Sequence, residues 1–296
     1  VDVADLWARK RDLVGRVPGL SMEALGGPTL LDVGGLAQIA SYFQAVQAGP
    51  SGYSVVVRWE EVEKSIAGVG GDSSGTTQSV VGAVLTAMED RGWGGALVVG
   101  PPGTGKSLLS KALAGTFGLP GLVFDPGATK SRWVGSSESQ AAAALDMITA
   151  IGGNRVCVIG TGNDLSGIPA ALRRRFTDGV WFCDLPTADE LSSIWTIQLK
   201  AFSLPVQPLP VCVGWSGADV RNCARAAFRL GVSLLDAAVY IAPVSASDPE
   251  GIDRLRRQAA GRWLSVSYPG YYRPAATAFS AGVLLVVGQF IEDRPQ

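Results

Sequence analysis

Gly100-Pro101-Pro102-Gly103-Thr104-Gly105-Lys106-Ser107 places two glycines, a lysine and a hydroxyl residue at the spacing of a phosphate-binding loop. The run before it, Gly95-Ala96-Leu97-Val98-Val99, is short, apolar and β-prone, and reads as a buried parallel strand. The run after it, Leu108 to Ala114, reads as a helix. Glycines let the backbone wrap an anion with no Cβ in the way. Freed N–H groups and the helix dipole then favour phosphate at the helix start. Lys106 would reach the β- and γ-phosphates of ATP, and the Ser107 hydroxyl would ligate Mg²⁺. Pro102, Gly103, Thr104, Gly105 and Leu108 complete the predicted nucleotide cradle. Strand, glycine-rich turn and helix in this order separate such a cradle from a glycine-rich turn with an accidental lysine.

The rest of the composition bounds what this loop can serve. The chain has 296 residues, 47% hydrophobic and 17% charged, enough for about two domains with a sizeable core. Its net charge of −1 supplies no global drive toward nucleic acid or anionic membrane. Histidine is absent, so no imidazole acts as base or metal ligand. The four cysteines (Cys157, Cys183, Cys212, Cys223) form no C-x-x-C pair and read as buried free thiols of a reducing cytoplasm. Asp2, Asp5 and Arg9 interrupt any apolar core at the amino end, so no signal peptide is expected. The apolar run from Ala278 to Ile291 is shorter than the about 20 residues a membrane helix needs.

Working outward, Val55-Val56-Val57-Arg58-Trp59-Glu60-Glu61-Val62 is an extended run, followed by a glycine-rich loop, and Gln78 to Arg91 has helical spacing. Leu122 to Asp125 reads as the next strand. Lys130-Ser131-Arg132-Trp133-Val134-Gly135 sets a large aromatic among polar residues, a pattern that marks a contact surface when exposed. Arg155 to Ile159 is a buried strand leading to Gly160-Thr161-Gly162-Asn163-Asp164, and the carboxyl ends of strands form the ligand crevice of an open α/β sheet. Asn163 is therefore predicted beside the phosphate loop. Leu172-Arg173-Arg174-Arg175-Phe176 suggests arginine fingers that serve a nucleotide in trans, against the alternative of a solvated basic turn. Ser216 is a plausible helix cap before Asp219, and the strand-poor stretch after it suggests a small helical domain.

Together these motifs resemble the AAA+ ATPase family over roughly residues 55–245, in particular the katanin, spastin and ESCRT-disassembling group. The resemblance implies an α/β fold: a P-loop parallel sheet flanked by helices, then a small all-α lid. It divides the chain into an N-terminal extension (1–50), the nucleotide-binding domain (51–187), the lid (188–245) and a C-terminal extension (246–296). Val57 to Val62 resembles the segment near the adenine. Arg132, Trp133 and Val134 resemble an aromatic pore loop, Asn163 the sensor residue, and Arg174 and Arg175 the arginine fingers. Ser216-Gly217-Ala218-Asp219 resembles the start of the lid helix. The implied partners are further copies of the chain in a hexameric ring and a protein substrate, rather than nucleic acid or membrane.

One expected part is missing. The family carries a strand ending in Asp-Glu between the pore-loop helix and the sensor strand. Glu138 to Asn163 has room for one helix and one strand at mean lengths of about 11 and 5 residues, and no apolar run there ends in two acids. Asp164 is the first substitute by position, ahead of Asp125 and Glu138. Two functions therefore stand at this point: an ATP-hydrolysing ring that threads a polymer past Trp133, or an ATP-binding assembly module with slow or no turnover.

Overall fold

The structure, a computed structural model, describes residues 3–24, 26–66, 76–126 and 136–274. Its strands are β1 (Leu20–Met22), β2 (Val55–Trp59), β3 (Gly94–Val99), β4 (Gly121–Phe124), β5 (Val156–Gly162), β6 (Val180–Phe182) and β7 (Leu264–Ser265). The helices are α1 (Val3–Val14), α2 (Ala37–Ala48), α3 (Val62–Ile66), α4 (Thr76–Asp90), α5 (Lys106–Phe117) and α6 (Ser136–Gly152). They continue with α7 (Ala170–Arg175), α8 (Ala188–Ala201), α9 (Gly217–Leu230), α10 (Leu234–Ala238), α11 (Val244–Ser247) and α12 (Pro249–Ala259).

All seven strands join one sheet in the order β1-β4-β2-β5-β3-β6-β7. Every neighbouring pair is parallel except β1 with β4. The central strands are apolar on both faces, as buried parallel strands must be. Val55, Val57 and Trp59 of β2, with Leu97 and Val99 of β3, feed one core together with Ile148 and Leu172. Val56, Ala96 and Val98 feed the opposite core with Phe43, Leu109 and Leu113. Helices α2 and α5 thus cover one face, and α4, α6 and α7 the other. This is the doubly covered P-loop sheet that the sequence predicts.

β2 overturns one expectation. The segment expected beside the adenine lies in the middle of the sheet, with Val56 in register with Cys157 and Trp59 with Gly160. Three successive β-branched valines followed by a fully buried Trp59 favour a central strand over a surface leader. Between Glu138 and the end of β5 there is one helix, α6, and one strand, as the spacing predicts. Yet β4 and β5 are not neighbours: β2 sits between them, paired in parallel with both. The place that a strand between α6 and β5 would take is filled by a strand that precedes the phosphate loop in the chain.

A separate core of Leu191, Trp195, Trp215, Val220, Cys223 and Leu234 holds α8, α9 and α10 together, which is the helical region expected after the sheet. Segments from beyond 51–187 also reach the sheet, since β1 extends one edge and β7 the other. The carboxyl-terminal segment is tied to the end of β6, where Asp184 accepts hydrogen bonds from Arg256 Nε at 3.0 Å and Tyr272 Oη at 2.5 Å. The predicted pore loop with Arg132, Trp133 and Val134 lies outside the described residues, as does the apolar run from Ala278 to Ile291. Among the described residues no helix is long and apolar enough to cross a membrane.

Candidate active site

A cavity of about 450 Å³ opens where the phosphate loop, the carboxyl ends of β2 and β5, helix α8 and the start of α9 converge. Pro102, Gly103, Thr104, Gly105, Lys106, Ser107 and Leu108 all line it, and Thr161, Gly162 and Asn163 close the side next to β5. Val33, Ile194 and Ile197 supply apolar wall, while Gln198 and Arg221 add polar groups.

The loop's conformation follows from its glycines. Gly103 and Gly105 have φ of +80° and +95°, a region open to glycine at little cost. At Gly103 the requirement is also steric, because a Cβ would lie 2.6 Å from Ser216 Oγ and 2.8 Å from Ala218 Cβ. The Ala218 N–H donates to the Gly103 carbonyl at 3.0 Å, so the start of α9 docks directly on the loop. Ser216 caps α9, and Asp219, itself buried, accepts the Ser216 N–H at 2.8 Å. This reciprocal cap satisfies helix-end donors that the burial would otherwise leave unpaired.

Lys106 is 8% exposed. Its ammonium donates to the carbonyls of Gly100 at 2.8 Å and Pro101 at 2.7 Å, so the buried charge is satisfied by the loop itself. Burial lowers its proton affinity, and the Glu63 and Glu61 carboxylates partly oppose that shift. Two cations line the cavity, Lys106 at the start of α5 and Arg221 on α9, a charge that favours an anionic ligand.

Asn163 directly follows β5 and lines the cavity. Its N–H donates to Glu63 Oε1 at 2.9 Å. Asp164 is not among the residues lining the cavity, and its carboxylate accepts the Ser166 N–H at 2.8 Å within its own turn. Asp125 is also off the cavity wall, and the side chain of Glu138 lies outside the described residues. Arg174 is exposed, while Arg175 forms an ion pair with Glu89 on α4, and neither lines this chain's own cavity.

The reading of the sequence names Glu60 and Glu61 only within the segment near the adenine and misses them as acids of the site, as it misses Arg221. Both acids line the cavity at the end of β2. Their signal is an apolar run ending in two acids, present in Val55 to Glu61 but upstream of the phosphate loop. Ser107 at the start of α5, with these carboxylates across the cavity, forms a donor set suited to Mg²⁺, which takes one or two carboxylates plus phosphate oxygens and waters.

Residues 96–152 match the family described as ATPase family associated with various cellular activities (AAA). The matched stretch runs from β3 through the phosphate loop to the end of α6, and over it the chain is similar to that family. A rice (Oryza sativa subsp. japonica) protein, the ATP-dependent zinc metalloprotease FTSH 6, chloroplastic, is 39% identical over 93 residues, 27% of this chain. The match spans 14% of the rice protein's length. Among solved structures, the FIGL-1 AAA domain is 16% identical with a TM-score of 0.49, covering 84% of this chain and 95% of that one. The structure titled Structural Basis for Katanin Self-Assembly is 18% identical with a TM-score of 0.37, covering 55% and 77%. The FIGL-1 AAA domain in complex with ADP is 16% identical at a TM-score of 0.40, covering 95% and 96%.

Proposed function

We propose that this AAA chain hydrolyses ATP as one subunit of a ring and uses the cycle to draw a protein substrate past Trp133. The observation that carries the reading is the single cavity that gathers the phosphate loop, Asn163, two carboxylates and the start of a lid helix. In that cavity Val33, Ile194 and Ile197 would flank the base, and the Gly103–Ser107 backbone with Lys106 would cradle the phosphates. Ser107, with the Glu60 carboxylate, would hold Mg²⁺. The ion would neutralise charge building on the β- and γ-oxygens. Asn163 would orient the attacking water from the end of β5. The docking of Ala218 on Gly103 gives the phosphate state a direct mechanical route to the helical domain. The carboxylates on the cavity wall favour turnover over the alternative, an assembly module that binds ATP without hydrolysing it.

The testing experiment is ATP binding and turnover by the purified chain and by Lys106→Ala. Removing a charge-assisted contact worth about 1.5–3 kcal/mol should weaken ATP binding by about 10- to 150-fold and abolish turnover at moderate ATP. Equal ATP affinity in the two proteins would remove the assignment of the site.

A further inference from the structure

Two carboxylates, Glu61 and Glu63, stand at the β2–α3 junction, and each is placed by contacts of its own. Glu61 adopts φ of +49°, one of three such non-glycine residues among those described. Left-handed backbone at a residue with a Cβ costs about 1–2 kcal/mol and persists where its surroundings hold it. Here the Glu61 N–H donates to Thr161 Oγ1 at 3.4 Å, and its carbonyl accepts the Lys64 N–H at 2.8 Å to start α3. The bend turns Glu61 to the cavity wall beside Thr161 and Asn163. Its carboxylate meets Lys64 Nζ at 2.7 Å, an exposed pair that solvent weakens.

Glu63 reaches back from α3 to β5. Its Oε1 fixes the Asn163 N–H at 2.9 Å, while Oε2 is buried without a hydrogen-bond partner. Gly162 gives it room, since a Cβ there would lie 2.9 Å from Glu63 Oε2. The other acids near the end of β5 are differently engaged: Asp164 is turned into its own loop.

We infer that the hydrolytic carboxylate of this site comes from upstream of the phosphate loop: Glu61 takes the proton of the attacking water, and Glu63 is a positioning residue that holds Asn163. The inference rests on the reading of the cavity as an ATP site. In the step, the water oxygen bonds to the γ-phosphorus and the bond from that phosphorus to the β,γ-bridging oxygen breaks. ADP leaves with the bond's electron pair, and the water proton passes to the Glu61 carboxylate and then to solvent. β2 can do this from outside the usual order because chain order is immaterial once the strand lies between β4 and β5.

The test compares the whole chain with Glu61→Gln, Asp164→Asn, Glu63→Ala and Glu63→Gln. Binding of a fluorescent ATP analogue, ATP turnover, and the identity of the nucleotide retained after rapid gel filtration are measured. A positioned general base contributes about 10²–10⁴-fold, so Glu61→Gln should lose at least about 100-fold in turnover. It should keep its ATP affinity and retain ATP rather than ADP. Asp164→Asn should turn over like the wild type. Glu63→Ala should slow turnover at unchanged ATP affinity, and Glu63→Gln, which keeps an acceptor for the Asn163 N–H, should recover most of the loss. Should Glu61→Gln fail to fold, Glu61→Asp, which withdraws the carboxylate, provides the same test. A wild type that binds no ATP would refute the site itself. Turnover that survives in Glu61→Gln, or is lost in Asp164→Asn instead, overturns the assignment alone. So does a wild type that binds ATP and never cleaves it.

Discussion

Cys183 shows how tightly the phosphate loop is packed from below. It follows β6, is buried, and its Sγ contacts the Thr104 carbonyl at 3.3 Å. Burial pushes its thiol up to about 11. The Cys223 thiol is likewise raised to about 11, and that of the fully buried Cys157 lies well above its ordinary value, in both cases chiefly through burial. Thiolate is the reactive form, so these three resist alkylation, whereas Cys212 is only half-buried. Iodoacetamide at pH 8 should therefore label Cys212 in the native protein, and all four cysteines once it is unfolded, as read by mass spectrometry. Native labelling of Cys183 would mean that the loop opens far more readily than its contacts imply. The sequence already suggests buried free thiols, but not which of them lies under the phosphate loop, because that depends on β6 pairing with β3.

At the scale of elements, the phosphate loop, β5 and the capped start of α9 are legible because each is specified locally. A glycine spacing, an apolar run ending in Asn163 and a Ser-x-x-Asp cap need no knowledge of distant residues. β2 is not legible in that way. Its acids form a recognisable pattern, but the reading looks for them between α6 and β5, where the chain order of the family would put them. Strand pairing is a tertiary property, and a parallel strand reaches its slot through crossover connections whose order is invisible locally. Trp59 discriminates between the two placements. It is fully buried, stands edge-on to Phe124 at a centroid distance of 6.0 Å, and donates to Ser65 Oγ at 3.1 Å. As a central core residue it should cost about 3–5 kcal/mol when changed to alanine, read from urea unfolding. A surface leader beside the adenine would lose well under about 1 kcal/mol.

At the scale of the whole molecule, the arginines of α7 pose the last question. Arg174 is exposed and Arg175 is held by Glu89, and both stand away from the cavity of their own chain. If they serve a nucleotide, it belongs to a neighbouring copy. A finger supplied in trans can be worth about 10³-fold or more in rate. A charge that acts across an interface has a consequence that a structural arginine lacks. A subunit with Arg174→Ala and Arg175→Ala should still bind ATP but hydrolyse it slowly. A subunit with Lys106→Ala binds ATP weakly and does not turn it over at moderate ATP, yet still offers its arginines. Mixing the two inactive proteins should restore part of the turnover, because some interfaces then pair an intact loop with intact arginines. Arg175 also loses an ion pair with α4 when changed, so the unfolding midpoint of the double variant is measured alongside to separate a weakened fold from a missing finger. Mixed assemblies that recover no activity, with both components folded, would place the arginines in a role confined to their own subunit.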